Sequence, residues 1–366
     1  MRLPDLVISR VMSDLYQFKS VVWVLGSGFS RCLGGPLLRD MLSDKLQDEA
    51  IARIRRKHGP PDPPFLELVN NVYGCYGTFR NRTGYWEDAE AFLEYVETAA
   101  ALNDPHERIY GYFGGSLEQV TKCCLKIIAA ECAFVPDKVN KKLERWAPYV
   151  TWAKDLRPAD RVITFNYDLV LEALGISLAM PNEPERGCAY KLHGSIDWRR
   201  LGRQFERVNC WQAIDHADAI EPFIATPGPG KRTRSQDLET LWLKAKEALT
   251  HADVIVFMGY RFPASDAHAR SELLGAIRAN ENEHLRIHTV LGPRTHDDDT
   301  VRLLKLLEHT MRSGKRVTMV EHDEMATDQN QLALGVPGVK TYAIIPQPLY
   351  VEDFLTVIHD QELYGY

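Results

Sequence analysis

The sequence predicts an α/β fold: a Rossmann-like doubly wound, mostly parallel sheet with an inserted helical module. Three observations carry that expectation. Short β-branched runs alternate with helical patterns through most of the chain. Those runs are apolar on both faces, as strands of a sheet covered on both sides are. From about residue 41 to 150 the alternation stops and the apolar spacing is helical throughout.

The expected strands are Val21 to Leu25, Arg161 to Phe165, Val254 to Met258, Leu285 to Leu291 and Arg316 to Val320. Helical patterns separate them: Tyr167 to Leu178, Leu238 to Thr250, Ala267 to Ala279 and Thr300 to Arg312. Strands alternating with helices imply right-handed crossovers and a doubly wound sheet. The intervening stretch contains Met41 to Arg56, a proline loop at Gly59 to Pro64, Trp86 to Leu102 and Ser116 to Phe134. Phe92, Leu93, Tyr95 and Val96 form a core stripe there, and Asp88 and Glu90 sit early in their helix, where the dipole favours acids. The tail carries a strand-like run, Tyr342 to Ile345, and a helix around Glu352 to His359. The expected division is therefore residues 1–40 and 151–330 for a discontinuous nucleotide-binding domain and 41–150 for the insertion. Residues 331–366 form a C-terminal segment suited to an assembly contact.

At 366 residues the chain is long for one compact core, which agrees with a core plus an insertion. Its 45% hydrophobic and 26% charged residues are those of an ordinary globular protein. A net charge of -6 offers no general attraction to nucleic acid or anionic membrane, and neither is expected as a direct partner. The seven cysteines include no C-x-x-C pair, which argues against a zinc ribbon and fits buried thiols in a reducing compartment. The first twenty residues lack a long apolar core, and the run Val21 to Leu25 is too short to span a bilayer. A cytoplasmic location is expected.

Chemistry concentrates at strand ends. After the first strand, Gly26-Ser27-Gly28-Phe29-Ser30 turns sharply and lets backbone N–H groups approach a pyrophosphate. Arg31 stands where the third glycine of G-x-G-x-x-G belongs, so a plain strand-to-helix turn is the competing reading. After the second strand, Asn166 can cap the following helix, with Asp168 complementing the dipole in its first turn. The same Asn166 amide can hydrogen-bond a ribose hydroxyl or hold a water, while Asp168 grips a sugar. His193 lies between the apolar run Ala189 to Leu192 and the small-residue turn Gly194-Ser195. Of the twelve histidines it alone has that setting, and imidazole suits proton transfer near neutrality. Gly228 to Thr233 is either a cationic loop for phosphates or a solvated turn. Gly259-Tyr260-Arg261-Phe262-Pro263 ends a further strand, and Ser265 or Asp266 can cap the next helix. His284 and His288 have helical spacing, but the second falls in a strand, which excludes a metal pair.

These motifs, in this order, resemble the sirtuin-like superfamily and, more closely, the bacterial sirtuin-like NAD+ hydrolases that act as effectors in antiphage defence. Gly26 to Ser30 with Gly35-Pro36, Phe165 to Asp168, Lys191 to Ser195, and Gly259 to Pro263 with Asp266 carry the resemblance. The acidic helix Trp86 to Glu97 adds to it. It spans roughly residues 20 to 295. Ser27 replaces the usual alanine, and the cysteine quartet that binds zinc in protein-deacylating sirtuins is absent, so no zinc is expected. The resemblance implies cleavage of NAD+ to nicotinamide and ADP-ribose. It makes Asn166 the group that orients water or ribose hydroxyls and His193 the proton acceptor. Gly26, Ser27, Gly28, Phe29 and Ser30 would surround the pyrophosphate, with Asp168, Gly259, Tyr260 and Asp266 as further NAD+ contacts. It also implies an abortive-infection setting, with control by homo-oligomer assembly or by a partner such as a HerA-like ATPase or a short Argonaute. A protein deacylase or ADP-ribosyltransferase, and a non-enzymatic NAD+ or ADP-ribose sensor, are the alternatives.

Overall fold

The computed structural model describes residues 19–37, 40–58, 69–70, 72–77, 89–102, 117–135, 143–211, 222–225, 236–263, 266–293, 298–311, 316–319 and 341–358. The proline loop, the Gly228 to Thr233 loop, Ser265 and residues 320–340 lie outside them.

Seven strands form the central sheet: β1 (Val21–Leu25), β2 (Arg161–Thr164), β3 (Ala189–Lys191), β8 (Val254–Met258), β9 (Arg286–Val290), β10 (Arg316–Met319) and β11 (Thr341–Gln347). Their order is β10-β11-β9-β8-β1-β2-β3, and every pairing is parallel. Chain order reverses between β1 and β8, the switch point at which doubly wound sheets open a crevice beyond their carboxyl ends. Two small antiparallel pairs follow β3. One joins β4 (Gly194–Ser195) to β7 (Phe223–Ile224), the other β5 (Trp198–Leu201) to β6 (Gln204–Arg207).

The alternation of β1 explains the layers. Val22 and Val24 pack with α7 (Glu239–Thr250), α8 (Ala267–Arg278) and α9 (Asp298–Met311) on one face. Val21, Trp23 and Leu25 pack with α1 (Ser27–Ser30), α5 (Ala147–Asp155), α6 (Val170–Leu174) and α10 (Val351–Val357) on the other. Each large aliphatic side chain so buried contributes about 1.5–3 kcal/mol. The sheet extends past the expected boundary at residue 330. Tyr342, Ala343, Ile344 and Ile345 are all buried, and a run apolar on both faces is accommodated inside a sheet, here between β9 and β10.

The helix expected over Tyr167 to Leu178 is shorter. α6 stops at Leu174 because Gly175 takes φ 84. Gly175 N–H then donates to the Glu172 carbonyl and Ile176 N–H to the Leu171 carbonyl, both at 3.0 Å, which is the Schellman ending glycine favours.

In the insertion, α2 (Asp44–His58), the helix at 72–77, α3 (Ala89–Leu102) and α4 (Leu117–Cys132) share a core containing Val72, Phe92, Leu93, Val96 and Ile128. That core also takes in Tyr167, Ile196 and Ile224, which places the module over the carboxyl edge of the sheet. Glu131, fully buried, ties it to the crevice wall. It accepts from Leu42 N–H at 3.0 Å and from the Tyr73 hydroxyl at 2.8 Å. Leu42 itself sits at φ 59, a conformation a branched residue adopts only under constraint.

Burial pushes the Glu131 carboxyl up to about 8, against the opposing pull of Tyr73, Leu42 N–H and Arg53. The folded chain therefore holds a proton that the unfolded carboxyl, at 4.5, releases. Stability is expected to fall as pH rises from about 4.5 to 8. Glu131→Gln is expected to flatten that part of the profile in chemical denaturation. An unchanged slope would show that Glu131 is ionised in the folded chain.

Candidate functional site

A cleft of about 620 Å³ opens beyond the carboxyl ends of β1, β2, β3, β8 and β9, within the size range of cofactor sites. Gly26, Ser27, Gly28, Ser30, Asn166, Asp168, His193, Gly259, Tyr260 and Asp266 all line it. Residues far apart in sequence meet here because parallel strands deliver their carboxyl ends to one edge.

Phe29 departs from the expected set. Its ring is 1% exposed and packs edge-on against Tyr149 and Trp152, at 5.1 and 5.3 Å between ring centres. The turn sends that side chain into the core, so Phe29 anchors the motif from behind. The glycines also act differently from a simple amide cradle. Gly26 N–H donates to the Met258 carbonyl at 3.0 Å and Gly28 N–H to the Gly259 carbonyl at 3.3 Å. What these glycines supply is close approach between two turns, while Ser27 and Ser30 present polar side chains at the same wall.

Asn166 does not cap α6, whose cap position is Leu169. Its amide donates to Ser30 Oγ at 3.4 Å, joining the β1 and β2 turns. Asp168 precedes the helix, and its Oδ1 accepts from Val170 N–H at 3.0 Å. Burial pushes the Asp168 carboxyl up, and Lys191, Val170 N–H, Ser30 and Asn166 pull it back.

His193 is 5% exposed. Phe165 meets it edge-on at 4.9 Å, and Phe165 itself stacks on Tyr260 at 4.1 Å. Asp266 occupies the cap position of α8 but makes no side-chain cap bond. Its carboxylate instead turns inward, with Oδ1 3.5 Å from His193 Nε2 and Oδ2 accepting from the Tyr260 hydroxyl at 2.9 Å. A buried carboxylate facing an imidazole fixes ring orientation and stabilises a proton taken up there.

Sequence reasoning missed walls supplied from a distance: Met41 and Cys132 of the insertion, Leu291 to Pro293 after β9, and Tyr350 to Glu352 before and within α10. The last group had a signal, since Glu352 and Asp353 open a helix just after a strand-like run. It also missed the buried partners of Lys191. Among the described residues no helix is long and apolar enough to cross a membrane.

Among solved structures, the chain is similar to a Sir2 homologue in complex with ADP-ribose, at 13% identity and a TM-score of 0.36, over 82% of this chain and 95% of that one. A Sir2 homologue in complex with NAD is similar at 14% identity and a TM-score of 0.34, over 82% and 93%. Sir2Tm bound to a propionylated peptide is similar at 14% and 0.32, over 82% and 98%. No family model matches the chain, and neither does any curated protein. Likeness at this level carries no argument about chemistry, which rests on the cleft.

Proposed function

We propose that the protein is an NAD+-consuming enzyme that breaks the nicotinamide–ribose bond, an NAD+ glycohydrolase releasing nicotinamide and ADP-ribose. One observation carries this reading: Asn166, Asp168 and His193 converge in one cleft beside the Gly26-Ser27-Gly28 turn, with Asp266 facing His193. The resemblance of the same motifs to sirtuin-like NAD+ hydrolases supports it.

The chemistry suits those groups. Nicotinamide is cationic in NAD+, so it leaves neutral, taking the electron pair of the C–N bond, and needs no general acid. Positive charge develops on the ribose, as in other glycosidic cleavages, and in this reading the Asp168 carboxylate stabilises it, while Asp266 acts through His193. Asn166 orients the ribose hydroxyls or the incoming water. Water adds its oxygen to the anomeric carbon and gives a proton to His193, which passes it to solvent. The insertion covers the cleft and limits stray water. In this proposal the activity depletes NAD+ in antiphage defence. Control comes from homo-oligomer assembly, a defence partner such as a HerA-like ATPase or a short Argonaute, or both.

Incubation of the purified chain with NAD+ over a range of protein concentrations, with chromatographic identification of products, tests the reading. Equal yields of nicotinamide and ADP-ribose are expected. Consumption of an acyl-lysine peptide with formation of acyl-ADP-ribose would identify a deacylase instead. Saturable NAD+ binding without nicotinamide release at any concentration would identify a sensor.

A further inference from the structure

Lys191 is 1% exposed, and no step of the proposed reaction uses it. A buried ammonium is costly unless its donors are satisfied and its charge is matched. Here Nζ lies 2.7 Å from Glu172 Oε1, 2.5 Å from the Asp168 carbonyl oxygen and 2.8 Å from Ser195 Oγ. The Ser195 hydroxyl donates in turn to Asp197 Oδ1 at 2.6 Å, and Arg207 donates to Asp197 Oδ2 at 2.7 Å. These acceptors belong to three separate pieces of chain: α6, the turn after β2 that carries Asn166 and Asp168, and β4, which directly follows His193.

We propose that Lys191 is a positioning residue: its ammonium holds the Asp168 and His193 turns in one geometry and brings its positive charge to the Asp168 turn. This rests on the reading of the cleft as a site that breaks the nicotinamide–ribose bond. The groups around Asp168 support the electrostatic part. Ser30 comes from α1, Cys132 from α4, Tyr149 from α5, and Asn166 and Val170 N–H from its own segment. Burial pushes the Cys132 thiol and the Tyr149 hydroxyl up, so both stay neutral beside it. Lys191 is the strongest influence opposing the effect of burial on Asp168.

Lys191→Met alone strands the Glu172 carboxylate in the core, so loss of fold would follow whether or not the positioning role is correct. Lys191→Met/Glu172→Gln removes both charges at similar volume. Melting temperature, NAD+ binding and nicotinamide release from about pH 5 to 9 are measured on the full chain. The double variant is expected to fold, and its kcat to fall about 10- to 100-fold. The acid limb of its profile is expected to move to higher pH, because Asp168 has lost the charge that opposes its burial. Lys191→Arg, which keeps the charge, is expected to return the acid limb toward that of the parent. A folded double variant with the parental acid limb overturns the proposal while the NAD+-cleavage reading stands. A folded parent chain that releases no nicotinamide overturns both.

Discussion

Replacement of His193 is expected to lower nicotinamide release about 10²- to 10⁴-fold, the range a positioned general base contributes. The parent ring is enclosed, edge-on to Phe165 at 4.9 Å and within 6.4 Å of Trp242 between ring centres. His193→Ala therefore leaves a void, and His193→Gln is the companion that keeps volume and polarity. Both should bind NAD+ nearly as the parent does, since the imidazole acts on the water and not on the dinucleotide's anionic centre. Asn166→Ala should also abolish release, through loss of orientation. Asp266→Asn offers a sharper test of how the base is held. Its Oδ1 is 3.5 Å from His193 Nε2, and a group acting through His193 costs little once His193 is gone. The single Asp266 variant should lose about 10- to 100-fold and the His193→Ala/Asp266→Asn pair little more than His193→Ala alone. Stopped assays with chromatographic product analysis read all of these. Full release by His193→Gln would remove His193 from the reaction.

How much of this was legible in the sequence follows from which interactions are local. The strands could be read most plainly at β1 and β8, which are buried on both faces, so their runs are continuously apolar. The seating of β11 between β9 and β10 could not be read, because no local pattern encodes which distant strand is a neighbour. The site followed the same division. Asn166, Asp168 and His193 stand at strand ends, and the sheet brings strand ends together. The direction of the Phe29 ring could not be read from the motif, because Ser27 to Ser30 is one helical turn that puts Ser27 and Ser30 at the cleft and the Phe29 ring in the core. The helix caps were read from residue type alone. Asp168 instead bonds Val170 N–H from outside the helix, and Asp266 turns to His193 and Tyr260. Lys191 stands in a motif that carries the resemblance, but its role gave no signal, because most of the acceptors that neutralise it lie on other segments.

Gly259→Ala is expected to cost about 2–4 kcal/mol of stability and to abolish NAD+ binding, the largest effect anticipated from removing no functional group. Gly259 ends β8 at φ 65, a backbone conformation that already costs an L side chain about 1 kcal/mol. More severe is the lack of space. A methyl there would stand 2.5 Å from Gly28 Cα and 2.6 Å from Phe29 N. A side chain at Gly26 would meet the Gly259 carbonyl oxygen at 2.5 Å. The obstacles are main chain, so no rotamer change relieves them, and the β1 and β8 turns must separate. Separation breaks the Gly28 N–H bond to the Gly259 carbonyl and shifts Tyr260, which stacks on Phe165 and donates to Asp266. Stability and site geometry should therefore fail together. Gly275→Ala is the control, since no atom lies within 4 Å of the added methyl in the middle of α8. That variant should gain about 0.5–1 kcal/mol from helix propensity. Denaturant midpoints and calorimetric NAD+ titrations on both variants decide the matter. A Gly259→Ala protein as stable as Gly275→Ala, binding NAD+ like the parent, would mean that the two turns are not packed against each other at the switch point.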